Sequence, residues 1–401
     1  MNKHQQSFPF REWRPGLHLN TSLPMPARSA RAGAEISFTS TRPESDEDND
    51  MRSERLTRKS RFRKLNLQES GRNAGEAGLI LHHGSQDHAA WPLADLLAGY
   101  GDRLAGQSPA FTCERDALSW CAQMMNESPA ARLLYESAEE QGWSVCLDDL
   151  KNEGFCLDSA ERLIILDHFS LAPSALGRSS FFRHIMLTTF IRALRDVWHE
   201  DRFSAGAQDY APDHVLMLER ARAADCDTVT ILCGWELRCA GFTDVWRHLL
   251  GSEEGDMAII FTRFLERDPG SLFNGAALAH AFRQWYADPS RVDGVDHDTL
   301  EQMDDLLENM EQPASFGQRR LDEAALEDLA TLPDGTRYLH GMGGGILRDP
   351  FFAGLNDPIN QTHLFHLVYD TQVVMINNVP FRDAKLARMI FPQAESTRVR
   401  S

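Results

Sequence analysis

The chain has 401 residues, 42% of them hydrophobic and 25% charged, which is enough apolar material for a sizeable core and excludes collagen-like and wholly disordered chains. The net charge of −18 is unevenly placed: residues 1–64 hold 13 Lys/Arg against 8 Asp/Glu, net +5, which leaves the remainder at −23. A body this acidic repels phosphate backbones and anionic lipid, which counts against nucleic acid as its main partner.

Residues 1–75 are rich in Pro, Ser, Arg and acid blocks and lack a sustained apolar period, so a disordered arm is expected there. Residues 76–130 read as a mixed, helical lead-in, with short helices at Trp91–Leu97 and Arg115–Met125. A helix over Ala130–Gln141 stops at Gly142, and three short strands follow at Trp143–Leu147, Phe155–Leu157 and Arg162–Leu166. These strands predict a small antiparallel sheet ahead of a helical region. Ser179 or Ser180 then caps a helix to about Glu200, and a further helix is expected over His214–Ala224. Asp227 reads as the cap of another, ending at Gly241, and Thr243 starts a short one ending at Gly251. Ser252 opens the next with Glu253 and Glu254 in its first turn, at the positive end of the dipole. Helices at Ala276–Tyr286 and Thr299–Met310 lead to a linker at Glu311–Gly317. Residues 318–401 form a C-terminal extension with an acidic helix at Asp322–Leu329, the Gly-rich Gly341–Gly345, an apolar Leu364–Ile376 and a closing helix around Arg382–Ile390.

The seven cysteines form no CxxC pair, which fits a reducing compartment, and the longest apolar stretches fall far short of the roughly 18 residues of a membrane span. No secretory signal is evident, and a cytoplasmic protein is expected.

The helix Ser180–Glu200 is apolar around most of its circumference and carries one polar stripe, His184, Thr188, Arg192, Arg195 and His199. The plain reading is a solvent-facing line on a core helix; the sharper one is the lining of a cleft. A short sheet followed by such a helix is the plan of zincin metallopeptidases, where HExxH sets two zinc-binding histidines at i and i+4 and the Glu serves as general base. No register here has two histidines; His199-Glu-Asp-Arg-Phe203 comes nearest, one ligand short. In that register His199 is a metal ligand, Glu200 the general base, and Glu219 the ligand from a following helix, with Asp225 and Glu236 as lesser candidates. The plainer expectation for Glu219 is an exposed partner of Arg220 or Arg222, and for Glu236 a pair with an arginine.

Four segments, Arg162-Leu-Ile-Ile-Leu-Asp-His168, Leu187-Thr-Thr-Phe-Ile-Arg-Ala-Leu-Arg-Asp196, Trp235-Glu-Leu-Arg238 and Gly255-Asp-Met-Ala258, resemble a bacterial family of unknown function described as putative metallopeptidases, over roughly residues 131–310. The resemblance implies a zincin-like scaffold and a zinc ion. In this sequence the HExxH slot on the long helix reads Arg192-Ala-Leu-Arg-Asp196 or His199-Glu-Asp-Arg-Phe203. The resulting expectation is an α+β, mainly α chain with a zincin-like domain and an incomplete HExxH motif. Its alternative is a non-catalytic binding or regulatory module on the same scaffold, with a peptide or protein partner.

Other clusters are weaker. His82, His83 and His88 are expected in a surface loop, and His363 and His366 share a helical face without an acidic partner of known spacing. Asp293, Asp296 and Asp298 read as an acidic loop ahead of Thr299, and Gly341–Gly345 as a tight turn rather than a phosphate cradle.

Overall fold

The structure, a computed structural model, describes residues 63–64, 80–83, 86–97, 109–151, 154–202, 209–309, 316–372, 374–376, 379–381, 389 and 397–398. Most of the expected arm, residues 311–315 of the linker, Phe203 and nearly all of the expected closing helix lie outside the described residues.

The strand β1 (Arg63–Lys64) is followed by β2 (Ile80–His83) and β3 (Gln86–Ala89). These last two form an antiparallel hairpin, so His82, His83 and His88 sit on paired strands and not in the loop expected of them. After β4 (Trp91–Pro92) come α1 (Leu93–Leu97), α2 (Glu114–Asn126) and α3 (Pro129–Glu140). The side chain of Ser128 caps α3 by accepting from Ala131 N.

Next are β5 (Ser144–Asp148), β6 (Phe155–Asp158) and β7 (Leu163–Asp167). With β1 and β4 they form one sheet in the order β1-β6-β7-β5-β4. The sheet is mixed and not antiparallel as expected, because β7 inserts between β5 and β6. Two chain reversals bring it back parallel to β5, with Cys146 opposite Ile165, and antiparallel to β6. Alternation along β7 turns Ile164 and Leu166 into the main core, while Leu163 and Ile165 join Cys146 and Cys156 on the opposite face. Burial of both faces explains why the strand reads as a continuous apolar run.

The helical body starts with α4 (Pro173–Arg178) and α5 (Ser180–Arg202), which packs on β6 and β7. One helix, α6 (Pro212–Cys239), spans the stretch read as two. Asp227 is therefore a buried mid-helix residue and no cap. Then follow α7 (Thr243–Gly251), α8 (Gly255–Arg267), α9 (Ala276–Trp285) and α10 (Pro289–Asn309). Ser252 ends α7, and Glu254 stands at the N-cap of α8. The acidic run Asp293–Asp298 lies inside α10, whose proline start at Pro289 precedes the expected one by ten residues.

The later segment holds α11 (Glu323–Leu329), capped by Asp322, α12 (Gly343–Arg348), α13 (Pro350–Ala353) and α14 (Pro358–Gln372). A small antiparallel sheet of β8 (Val374–Ile376), β9 (Val379–Phe381) and β10 (Thr397–Arg398) completes the described residues. The glycine run opens α12: a Cβ at Gly343 would meet Glu323 O at 2.5 Å, and Gly343 N donates to the Glu327 carboxylate. Close packing and an internal anion thus account for these glycines. No described helix is long and apolar enough to cross a membrane.

Candidate metal centre

The polar stripe of α5 faces inward. His184, Thr188, Arg192, Arg195 and His199 are all buried, the last two completely, so the expected solvent-facing line does not exist. Buried charge at this density is tolerated only when paired, and the partners come chiefly from α6.

Arg192 lies between two carboxylates, with Nε 2.6 Å from Asp227 of α6 and Nη2 2.8 Å from Glu254. Burial works against its charge, but Glu254 and Asp227 outweigh that and hold the guanidinium above its ordinary range. The other oxygen of Asp227 accepts from Trp285 Nε1 at 3.0 Å, and Ser252 Oγ donates to Glu254. Gly255 permits the turn that aims Glu254 inward, since a Cβ there would meet Leu250 O at 2.5 Å.

One turn further along, Arg195 binds Asp225 through Nε at 2.5 Å and Nη2 at 3.1 Å, and Nη2 also donates to the carbonyls of Leu329 and Thr331. Tyr338 Oη donates to Asp225 at 2.6 Å. Burial pushes the Asp225 carboxyl up, but Arg195 and His199 overcome this and bring it down to about 2. His199 Nε2 lies 2.9 Å from Asp225, whereas Nδ1 lies 3.9 Å from Cys226 Sγ and 4.0 Å from Asp196. Burial holds the imidazole pKa below its ordinary value, the Asp225 contact notwithstanding. Burial also raises the Cys226 thiol, with Asp196 and Asp225 adding to the effect. Asp196, His199 and Cys226 offer ligand atoms within 4.8 Å of one another. Oxygen, nitrogen and sulfur are the donors zinc takes, so by chemistry this trio fits a metal. Cys226 was no candidate on sequence, because a lone cysteine inside an apolar helix reads as core.

Of the other residues expected in the site, Glu200 and Glu219 converge on Arg222, beside the trio. Glu200 accepts from Arg222 Nη2 at 2.8 Å and from Ser159 Oγ at 3.1 Å. Glu219 lies 3.4 Å from Arg222 Nη1, and Arg222 also binds Asp196 at 2.6 Å. Glu219 pairs with Arg222, one of the two partners expected, but it is half-buried and not exposed as expected. Arg132 acts on Glu236 only from a distance; the Glu236 carboxylate accepts from Ser128 Oγ at 2.5 Å and Ala130 N at 2.9 Å, so it caps α3. In the slot Arg192–Asp196 the first position is a guanidinium, which has no lone pair to give a metal, and the last is bound to Arg222. That slot does not fit zinc. Outside the centre, His363 Nε2 lies 2.5 Å from Asp304 of α10, an acidic partner from another helix that spacing did not reveal.

The closure of the trio limits its chemistry. His199 and Cys226 are at most 1% exposed, whereas a hydrolytic zinc keeps a position open for water and substrate. A metal held by these three residues would brace α5 against α6. No curated protein and no solved structure matches the chain. A family model described as "Putative metallopeptidase family (DUF6782)" matches residues 106–340, more than half of the chain, and the chain belongs to that family.

Proposed function

We propose that this chain is a non-hydrolytic member of its family: a binding or regulatory module on a zincin-like scaffold whose HExxH motif has degenerated. Arg192 carries this reading. At the first position of the i, i+4 slot it contributes a positive charge in place of a metal ligand, already neutralised by Asp227 and Glu254. Glu200, the candidate general base, is held by Arg222 and Ser159, which supports the same reading. The partner class is a peptide or protein, in keeping with a strongly acidic body. The seven cysteines, free and mostly buried, fit a reducing bacterial cytoplasm.

A second reading is favoured by one observation. Around His199, the carboxylates of Asp196, Glu200, Glu219 and Asp225 pair with the two guanidinium groups of Arg195 and Arg222. Asp196, His199 and Cys226, whose ligand atoms lie within 4.8 Å of one another, would hold zinc there as a structural metal. In the register that uses Glu219, the ligands would be His199 and Glu219 with Glu200 as base.

Metal analysis of the purified full-length chain, with a peptidase assay on unstructured casein, separates these readings. The first expects a folded, metal-free protein without hydrolysis. Stoichiometric zinc that disappears in Cys226→Ala and His199→Ala would install the structural-metal reading. Zinc that disappears in Glu219→Ala, with casein cleavage that disappears in Glu200→Gln, would restore a working peptidase.

A further inference from the structure

We infer that Asp227 and Glu254 form a divalent-cation site in which the Arg192 guanidinium is the resident cation. The inference rests on the non-hydrolytic reading and extends it to what replaced the metal.

Four observations converge. First, the two carboxylates come from different elements, the middle of α6 and the N-cap of α8, and meet at 3–4% exposure on either side of Arg192, with Arg291 acting on Asp227 electrostatically as well. Second, each is oriented without help from Arg192: Trp285 Nε1 donates to one oxygen of Asp227, and Ser252 Oγ donates to Glu254. Neutral donors on the far oxygens of two carboxylates are the supports that metal-binding carboxylates have. Third, Gly255 fixes the turn that brings Glu254 in. Fourth, Arg192 opens an i, i+4 pair on α5, the position from which a helix presents a metal ligand. His248 stands close enough to influence Glu254 and Arg192 electrostatically. Burial keeps its pKa low. The same face holds His184, whose ring centroid is 5.6 Å from that of His248, and Asp244 lies on α7 beside them.

An imidazole at position 192 would leave the carboxylates in place, remove the fixed charge and add a nitrogen ligand. Two carboxylates and an imidazole are a competent set for zinc or manganese. Arg192 is thus a built-in substitute: it satisfies both acids permanently and keeps a free metal out.

The test compares full-length wild type with Arg192→His, using zinc chloride and manganese chloride as probes. Expected is one metal equivalent more in Arg192→His than in its parent. Its melting temperature should rise by roughly 5 °C at a hundredfold excess over the dissociation constant, while the parent does not respond at this position. Adding Asp227→Asn and Glu254→Gln to Arg192→His should abolish the extra equivalent. An Arg192→His protein that folds and takes up no more metal than wild type overturns the inference. Should Arg192→His fail to fold under all conditions, Arg192→Met decides the matter with and without Asp227→Asn and Glu254→Gln. Recovery in the triple variant sustains the charge role, and a triple variant no more stable than Arg192→Met overturns it. Zinc in the wild type that is lost on Cys226→Ala would refute the metal-free reading alone, because the extra equivalent is counted against the parent.

Discussion

Two polar interiors, around Arg192 and His199, lie about two helical turns apart on α5, and they solve the same problem differently. Around Arg192 the cation is covalently part of the chain, it meets two carboxylates, and the remaining oxygens are held by neutral donors. Around His199 the guanidinium groups of Arg195 and Arg222 are spread over four carboxylates, and a neutral imidazole and a buried thiol remain as soft donors. The first arrangement has no vacancy for a metal, whereas the second retains ligand atoms of the right kind. The contrast teaches that charge compensation, more than the count of histidines, separates a place that excludes a metal from one that retains metal-binding chemistry.

The sharpest way to break this comparison is to remove the cation from the second interior. Arg195→Met leaves Asp225 and two carbonyls without their donor, and urea unfolding should show a loss of about 3–5 kcal/mol. A loss below about 1 kcal/mol would mean that His199 and Tyr338 alone sustain Asp225.

Acid titration comes next in size. Asp225 stands at about 2 in the folded chain against about 3.9 unfolded. Its folded value is depressed, so its contribution is complete above about pH 4 and is lost as pH falls through about 2. Roughly 2–3 kcal/mol should disappear over that window in unfolding free energies measured at successive pH values. The buried imidazoles of both interiors should respond earlier, because burial lowers His199 and His248 as well as His184. Burial, reinforced by His248, brings His184 down to about 4. The unfolded chain therefore binds the proton first, and stability should fall between about pH 6.5 and pH 4. His184→Gln should lessen the loss in that upper window, to which His199, His248 and His280 also contribute, while leaving the lower one unchanged.

Smaller effects sharpen the picture. Tyr338→Phe removes one donor to a buried carboxylate and should cost about 1.5–3 kcal/mol by urea unfolding. Glu236→Gln weakens the cap of α3 and should cost about 1 kcal/mol, with no change in metal content.

Much of this fold is legible from local pattern. The apolar run of β7, the proline and serine at the start of α3, and the near-continuous apolar surface of α5 all mark elements the structure contains. Three features were not legible, each for a physical reason. The Asp225-Cys226-Asp227 triplet looks like a helix start because aspartate favours caps, but arginines 30 and 35 positions earlier in the chain neutralise it inside α6. The direction of the polar stripe depends on which helices cover it, and periodicity cannot say so. Strand order depends on β7 entering between its predecessors, and three short strands allow either arrangement. Of the candidate trio, only His199 carries a signal in the sequence, as a histidine on the polar stripe of α5. Its true neighbours, Asp196 and Cys226, were not singled out because their grouping arises from the crossing of two helices.

The carbonyl contacts of the buried arginines carry a consequence for how this chain folds. Arg195 reaches Leu329 and Thr331 across 134 and 136 residues, and Arg220 reaches Phe352 and Gly354 across 132 and 134. Such closures are slow because chain entropy must be lost before any contact rewards it. During synthesis α5 and α6 emerge with guanidinium groups whose final acceptors have not yet been made. The hydrogen-bonding of these buried arginines is therefore completed only once residues 329–354 have been made.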